Sequence, residues 1–153
     1  MTPEEKARQK IDQWFSDAGW KVVDRDNYEP NCTAVAIREG LLKGNLEADY
    51  FLFINGKAVG VLEAKREEID PFSDKVCEQA VVYARNVPKI YQTYQKPLPF
   101  IFTSNGKDLY FCDFRKQDSC FKQIMTIPTP HELVKLLGIN GHSCKYPWLI
   151  FVV

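Results

Sequence analysis

The chain has 153 residues, 45% of them apolar and 26% charged, and its twenty basic and twenty acidic side chains leave no net charge. This length suits one domain with a sizeable core, and no apolar run is long enough to cross a membrane. Domains that grip nucleic acid unaided usually carry a basic excess, so zero net charge excludes that class unless another part or partner supplies the grip.

The N-terminal segment predicts a helix followed by a short strand. Residues 2–5 (TPEE) form a capping box with proline at the first helical position, and Gly19 suits the C-terminal stop. Between them, apolar side chains recur at helical spacing at Ala7, Ile11, Trp14, Phe15 and Ala18. A strand over 20–23 and a polar loop over 24–33, rich in turn formers, are expected next.

Two strands with charges among their apolar residues form the middle of the chain. After a short apolar stretch at 34–37, we predict strands over 47–54 and 57–65. Both faces of these strands are apolar, as a sheet covered on each side requires. Buried charges are costly unless they are paired. Three charges interrupt the apolar pattern, namely Asp49, Glu63 and Lys65.

The second half of the chain predicts a helix, a hairpin and a last helix. A long helix is expected over 74–94, with Pro88 as a kink or an end. Strands over 98–103 and 109–114 are joined by a Ser-Asn-Gly-Lys turn, and a short helix follows over 130–137. This order of elements predicts an α/β fold in which a central mixed β-sheet is flanked by helices on both faces.

The hairpin loop decides whether Asp49 lies on the same face as Glu63 and Lys65. Side chains alternate along a strand, so Glu63 and Lys65 share a face. A two-residue loop would turn Asp49 to the opposite face, whereas a three-residue loop at 54–56 would pair Asp49 with Val61 and bring it beside Glu63. Burying Asp49 alone costs more than grouping it with the other charges, so we predict the three-residue loop.

Two neighbouring carboxylates repel each other unless a positive charge lies between them. Magnesium prefers carboxylate and carbonyl oxygens, which Asp49, Glu63 and the Ala64 carbonyl would supply. Such an ion would polarise a phosphoryl oxygen and acidify a water, while Lys65 would orient that water or offset developing charge. The residues alone leave two interpretations open, metal-dependent phosphodiester hydrolysis and a plain buried ion pair.

The helix after the charged strands carries a polar pair. Gln79 and Tyr83 are four residues apart and therefore share one face. Their amide and phenol can reach a phosphate or an active-site water, although an ordinary half-buried helix explains the pair taken alone. The chain has neither a GxxxxGK[ST] phosphate loop nor a GxGxxG turn, so nucleotide-driven chemistry is not encoded.

Taken together, these motifs resemble the N-terminal nuclease domain of the R (restriction) subunit of type I restriction enzymes. That family belongs to the PD-(D/E)xK nucleases and adds a QxxxY motif on the helix after the ExK strand. The segments "VAIREG" and "PFIFTSNGKDLYFCDF" also follow the family's order, and the resemblance extends from Ala7 to about Leu137. The motifs that carry the resemblance are Asp49, Glu63-Ala64-Lys65 and the Gln79/Tyr83 pair.

The resemblance implies a restriction-endonuclease-like core and Mg²⁺-dependent cleavage of double-stranded DNA. It implies that Asp49 and Glu63 are metal ligands and that Lys65 is the catalytic lysine. Gln79 and Tyr83 would then assist DNA or active-site positioning. Glu39 would be an accessory acid near the metal, and Arg38 would contact a phosphate. A solvated surface pair explains these two residues equally well.

The chain departs from the family because it lacks the two motor domains that bind ATP and translocate DNA. We therefore expect residues 1–140 to be the nuclease domain and 141–153 to be a tail, a point where a longer chain was cut. ATP is expected only for the absent motors. The expected partners are double-stranded DNA and, through the longer protein, the modification and specificity subunits.

Two other functions are compatible with the same fold, a non-cutting DNA-binding or scaffold module and a DNA repair or junction nuclease. The complete set of two acids and a lysine argues against the first, and zero net charge argues against a basic resolvase. Five cysteines without a CxxC pair predict reduced thiols. Together with an N-terminus that lacks an apolar signal region, they predict a cytoplasmic protein with no membrane partner.

Overall fold

The computed structural model describes residues 1–28, 34–41 and 47–138, with the backbone alone for 39–41 and 47. Within these ranges a 3₁₀ turn at Arg25–Asn27 accompanies the regular elements. In chain order the elements are α1 (Pro3–Asp17), β1 (Lys21–Asp24), β2 (Ala34–Leu41), β3 (Glu47–Ile54), β4 (Lys57–Ala64), α2 (Asp74–Arg85), β5 (Gln92–Thr93), β6 (Phe100–Ser104), β7 (Leu109–Asp113), β8 (Lys122–Ile124) and α3 (Pro130–Leu137).

The strands form one mixed sheet in the order β1-β2-β3-β4-β6-β7-β8, with β5 paired to β4. The pairs β1–β2, β4–β5 and β4–β6 are parallel, and the others are antiparallel. Residues of α1 and α3 belong to the apolar cluster on one face, whereas residues of α2 belong to the cluster on the other. The predicted α/β architecture, with helices on both faces of a mixed sheet, is therefore confirmed.

The helix ends follow the capping signals of the sequence. At the start of α1 the Thr2 hydroxyl accepts from the Glu5 N–H at 3.1 Å, and the Glu5 carboxylate accepts from the Thr2 N–H at 2.8 Å. A second capping box at Thr129 begins α3, which matches its predicted bounds. In the described ranges no helix is both long and apolar enough to cross a lipid bilayer.

α2 is shorter than the predicted range 74–94, and of the two outcomes predicted at Pro88, a kink or an end, the structure shows an end. The helix ends at Arg85, not at 94, and the segment after it turns back to form β5 at Gln92–Thr93. Proline disfavours helical backbone in the residue before it, so Pro88 prevents Val87 from continuing the helix. Val87 is itself buried in the cluster on that face of the sheet, which fixes the exit of the chain from the helix.

The predicted three-residue hairpin loop is also wrong. Ile54 pairs with Lys57, which leaves a two-residue loop of Asn55 and Gly56. Both loop residues have positive φ, 55° at Asn55 and 77° at Gly56. This is the pattern of a type I′ turn, whose twist matches that of the flanking strands and for which Asn-Gly is the favoured dipeptide.

A β-bulge in β4 nevertheless brings Asp49 to the predicted face. Phe53 pairs with Ala58, but the next pair is Leu52 with Gly60, so Val59 is an extra residue in β4. Beyond the bulge the register places the position of Asp49 opposite Glu63, one step past the last recorded pair. The expected grouping is therefore correct, and the bulge produces it in place of an odd loop.

Gly60 allows β4 and β6 to lie unusually close. A Cβ at this position would lie 2.7 Å from the Phe100 carbonyl oxygen and 3.2 Å from the Phe100 Cβ. The Phe100 carbonyl oxygen belongs to the backbone of the neighbouring strand, so it cannot rotate away from an added Cβ.

Gly60→Ala is therefore expected to lower the free energy of unfolding by about 3 kcal/mol in a urea titration. Gly138→Ala is the matched control, because a Cβ there meets nothing within 4 Å and only the positive φ of 69° opposes it. That control should cost about 1 kcal/mol. Equal losses in the two variants would contradict the close approach at Gly60.

Candidate active site

The ends of β3 and β4 bring two carboxylates together at the edge of the buried sheet. The side chains of Asp49 and Glu63 are only 10% and 4% exposed. The Asp49 Oδ2 accepts a hydrogen bond from the Ala64 N–H at 2.8 Å. Asp49 thus lies across the end of β4, and the backbone of the neighbouring strand holds it there.

Glu63 is a buried acid whose charge is only half compensated. Its Oε1 lies 3.2 Å from the Lys65 Nζ, but its Oε2 is buried and has no hydrogen-bond partner among the described residues. Burial raises the pKa of Glu63 to about 8, the negative charge of Asp49 adds to the rise, and Lys65 opposes it. An acceptor in this position requires either a proton or a further cation.

Lys65 is fixed by the backbone as well as by its ion pair. Its N–H donates to the Ser104 carbonyl at 2.8 Å, which extends the β4–β6 pairing one residue past β4. The side chain is 25% exposed, so its ammonium group lies at the boundary between the buried acids and solvent. The structure therefore brings the three predicted charges, Asp49, Glu63 and Lys65, to one place.

These oxygens are a suitable, incomplete ligand set for a hard divalent cation. Among the residues that the structure describes, no three His, Cys, Asp or Glu side chains cluster as a metal site. Asp49 and Glu63 would thus supply two carboxylates, with the predicted Ala64 carbonyl and water as further ligands. Magnesium commonly binds in this way, through one or two carboxylates and several waters. The Oε2 of Glu63, for which the described part of the chain offers no hydrogen-bond partner, fits such an ion.

The polar pair on α2 faces this acidic site. The Gln79 Nε2 donates to the Tyr83 hydroxyl oxygen at 2.8 Å. Tyr83 is 8% exposed, and its pKa is raised first by burial and then by the negative charge of Glu63. The structure therefore brings the Tyr83 phenol toward the acids, and Gln79 orients that phenol.

The two remaining predicted residues belong to β2. Arg38 pairs with Asp12 at 3.0 Å and with Asp24 at 2.8 Å, and Asp12 also accepts from the Tyr50 hydroxyl at 2.5 Å. In the strand register Arg38 lies opposite Tyr50 and thus on the α1 face, not on the face of Glu63. Its predicted phosphate contact stays a prediction. The side chain of Glu39 lies outside the described residues.

Arg8 is a member of the site that the sequence analysis missed. Its guanidinium forms an ion pair with the Asp49 Oδ1. Arg8 lies on α1, for which the sequence predicted a capped helix with one apolar face. The only local signal at Arg8 was an oppositely charged neighbour one turn later, Asp12. A cavity of about 320 Å³ borders this ion pair and is also lined by Arg38.

Asn105 was predicted only as part of a turn, but it also supports the segment after Lys65. Its side-chain amide donates to the carbonyls of Glu67 at 2.9 Å and Ile69 at 3.0 Å. Its side-chain oxygen accepts two backbone N–H groups of its own turn. Asn105 is 4% exposed, so these bonds replace water that the amide has lost.

Comparison with known proteins gives one family and two solved structures. A sequence model of the family described as the type I restriction enzyme R protein N terminus matches residues 35–119, more than half of the chain. No curated protein matches.

The chain superimposes on a fragment described as an HsdR subunit of a type I restriction enzyme from Vibrio vulnificus YJ016, with a TM-score of 0.63 and 21% identity. The match covers 90% of this chain but 25% of that one, so the chain spans about a quarter of that relative's length. The type IIG restriction endonuclease BpuSI matches 72% of this chain and 11% of its own, with a TM-score of 0.49 and 20% identity. The HsdR match confirms the predicted restriction-endonuclease-like fold.

The raised pKa of Glu63 predicts a pH-dependent stability in metal-free buffer. The folded chain holds this proton more tightly than the unfolded chain, because burial raises the pKa of Glu63 to about 8. The resulting stabilisation is complete below the unfolded pKa and is lost as the pH rises through about 8, with a size on the order of a few kcal/mol.

Urea titrations with EDTA at pH 5 and pH 9 measure this loss. Glu63→Gln should remove most of the difference between the two pH values, because glutamine cannot ionise. Glu67→Gln changes an exposed acid nearby and should retain the difference. The explanation fails if the free energy of unfolding of Glu63→Gln changes between pH 5 and pH 9 as much as that of the unmodified chain.

Proposed function

The chain belongs to the family of type I restriction enzyme R protein N termini, and from that premise we propose that it is a magnesium-dependent endonuclease domain acting on double-stranded DNA. One observation carries the proposal. Two carboxylates and an ammonium group converge at the ends of β3 and β4, and one buried oxygen of Glu63 has no partner among the described residues.

Asp49 and Glu63, with the Ala64 carbonyl, would hold the Mg²⁺ ion. When bound, the ion supplies Lewis acidity at a phosphoryl oxygen and acidifies a water. Lys65, whose Nζ lies 3.2 Å from Glu63, offsets negative charge that develops on the phosphate and orients the attacking water. The buried position of the acids strengthens these interactions, because a site with little water screens charge poorly.

Tyr83 and Gln79 position the substrate in this proposal. The phenol is held by the Gln79 amide and lies on the side of α2 that faces the acids. It can donate a hydrogen bond to a phosphate oxygen, because burial raises its pKa and keeps it protonated. Gln79 then acts through Tyr83, since its amide contacts the phenol oxygen.

We place this activity within a longer restriction subunit. The chain covers a quarter of the HsdR fragment. ATP-driven translocation and contacts with modification and specificity subunits, which the family resemblance implies, would belong to other parts of the longer subunit. The proposed nuclease domain comprises residues 1–140. A net charge of zero supports this division, because a domain without a basic excess needs DNA to be held for it.

Lys65→Ala is expected to lower Mg²⁺-dependent plasmid cleavage by about 10²–10³-fold, because it removes a charge aimed at the transition state. The variant is made in the R subunit that carries this chain, assembled with its modification and specificity subunits. Lys89→Ala, at an exposed lysine beyond α2, is the matched control and should cut normally. Cleavage at the unmodified rate by Lys65→Ala would contradict the assignment of Lys65 as the catalytic lysine.

Tyr83 and Gln79 are expected to act as one unit in the same cleavage assay. Tyr83→Phe and Gln79→Ala should each slow cleavage about tenfold, and the double variant should be no slower than Tyr83→Phe, since the amide acts through the phenol. Glu78→Ala, at an exposed neighbour on α2, serves as the control. Additive losses in the double variant would show that the two side chains act separately.

A further inference from the structure

Both carboxylate oxygens of Asp49 already have partners within the chain. The Oδ2 accepts from the Ala64 N–H at 2.8 Å, and the Oδ1 is ion-paired with the Arg8 guanidinium. The Asp49 side chain is 10% exposed and that of Arg8 is 37% exposed, so the pair is shielded on the aspartate side and open on the arginine side. A cation that binds the Oδ1 of Asp49 must therefore take the place of Arg8 there.

A divalent ion and a guanidinium compete for the same oxygen. Two positive groups within a few ångströms repel each other, and low exposure weakens the screening of that repulsion. The ion pair is thus an alternative way of compensating the charge of Asp49. At its Oε2, which lacks a hydrogen-bond partner among the described residues, Glu63 has no ion pair of this kind.

We propose that Arg8 is a positioning residue that neutralises Asp49 in the metal-free chain and is displaced from the Oδ1 when a divalent cation binds. The inference rests on the proposed function, since it takes Asp49 as a metal ligand. Arg8 then sets how readily the site accepts its ion, and α1 becomes part of the metal site although it contributes no ligand.

The structure provides space for the displaced guanidinium. The cavity of about 320 Å³ beside the ion pair is lined by Glu5, Asp12 and Asp24. Arg38 also lines it and already pairs with both aspartates. Glu5 lies three residues before Arg8 and Asp12 four residues after it, so both are neighbours of Arg8 on the surface of α1. Displacement requires Arg8 to change rotamer and to enter this cavity.

This role predicts opposite changes in two properties. Arg8→Gln removes an ion pair, so the chain should become less stable. The same change removes a competitor, so the affinity for a divalent cation should rise. If Arg8 merely supported the structure, its loss would leave metal affinity unchanged or lower it, because Asp49 would be held less well.

The test is a calorimetric titration of the whole chain with Mn²⁺ alone, together with thermal unfolding in EDTA. Arg8→Gln should bind Mn²⁺ about tenfold more tightly, a change that corresponds to about 1.4 kcal/mol, and should melt at a lower temperature. Lys10→Gln makes the same charge change at an exposed position of α1 and should leave the affinity within about twofold. Asp49→Asn should abolish the binding.

The outcomes separate this inference from the proposed function. If Asp49→Asn abolishes Mn²⁺ binding while Arg8→Gln binds no more tightly than the unmodified chain, competition by Arg8 is wrong and the metal site stands. If the unmodified chain and Arg8→Gln both fail to bind Mn²⁺, the metal site and the inference fail together.

A second measurement needs no folded Arg8 variant. The side-chain N–H signal of Arg8 in the unmodified chain is followed by NMR during titration with Mg²⁺. Displacement should move this signal toward its position in metal-free Asp49→Asn, with the midpoint at the Mg²⁺ dissociation constant. A signal that stays in place at saturating Mg²⁺ would overturn the proposal.

Discussion

The extra residue in β4 is the constraint on which the candidate site depends. With Val59 inserted between the pairs Phe53–Ala58 and Leu52–Gly60, the register of the hairpin shifts by one and Asp49 comes to lie opposite Glu63. A one-residue shift in a strand transfers every side chain to the other face of the sheet. Without the bulge the two acids would be separated by the sheet itself, and neither Lys65 nor a metal ion could interact with both.

The negative charges of Asp49 and Glu63 are only partly compensated by their ion pairs. Lys65 compensates one oxygen of Glu63, and Arg8 compensates one oxygen of Asp49. The raised pKa of Glu63, whose main cause is burial, indicates that this compensation is insufficient. A buried ion pair contributes little net stability once desolvation is counted. The Glu63 oxygen that has no hydrogen-bond partner among the described residues is thus left for a proton or for a bound group.

Local signals in the sequence predicted most elements, and tertiary interactions account for the errors. Capping boxes and Asn-Gly turns act over a few residues, so α1, α3 and the hairpin were found. The end of α2 depended on how Val87 packs, and the bulge depended on the pairing of Leu52 with Gly60 across two strands. The three charges were recognised because they are out of place in apolar strands. Arg8 was missed because a charge on an exposed helix is ordinary, and only the fold brings it to Asp49.

The buried amide of Asn105 has a consequence for the chemical durability of the chain. An Asn-Gly pair deamidates when the glycine nitrogen attacks the asparagine side chain. The aspartate that deamidation produces would direct a negative oxygen toward the carbonyls of Glu67 and Ile69, where the Asn105 NH₂ group now donates. Here the Gly106 N–H is bonded to the Ser104 Oγ at 3.1 Å, which holds the attacking nitrogen. This hydrogen bond is expected to slow deamidation of Asn105 and so to preserve its bonds to the segment beyond Lys65.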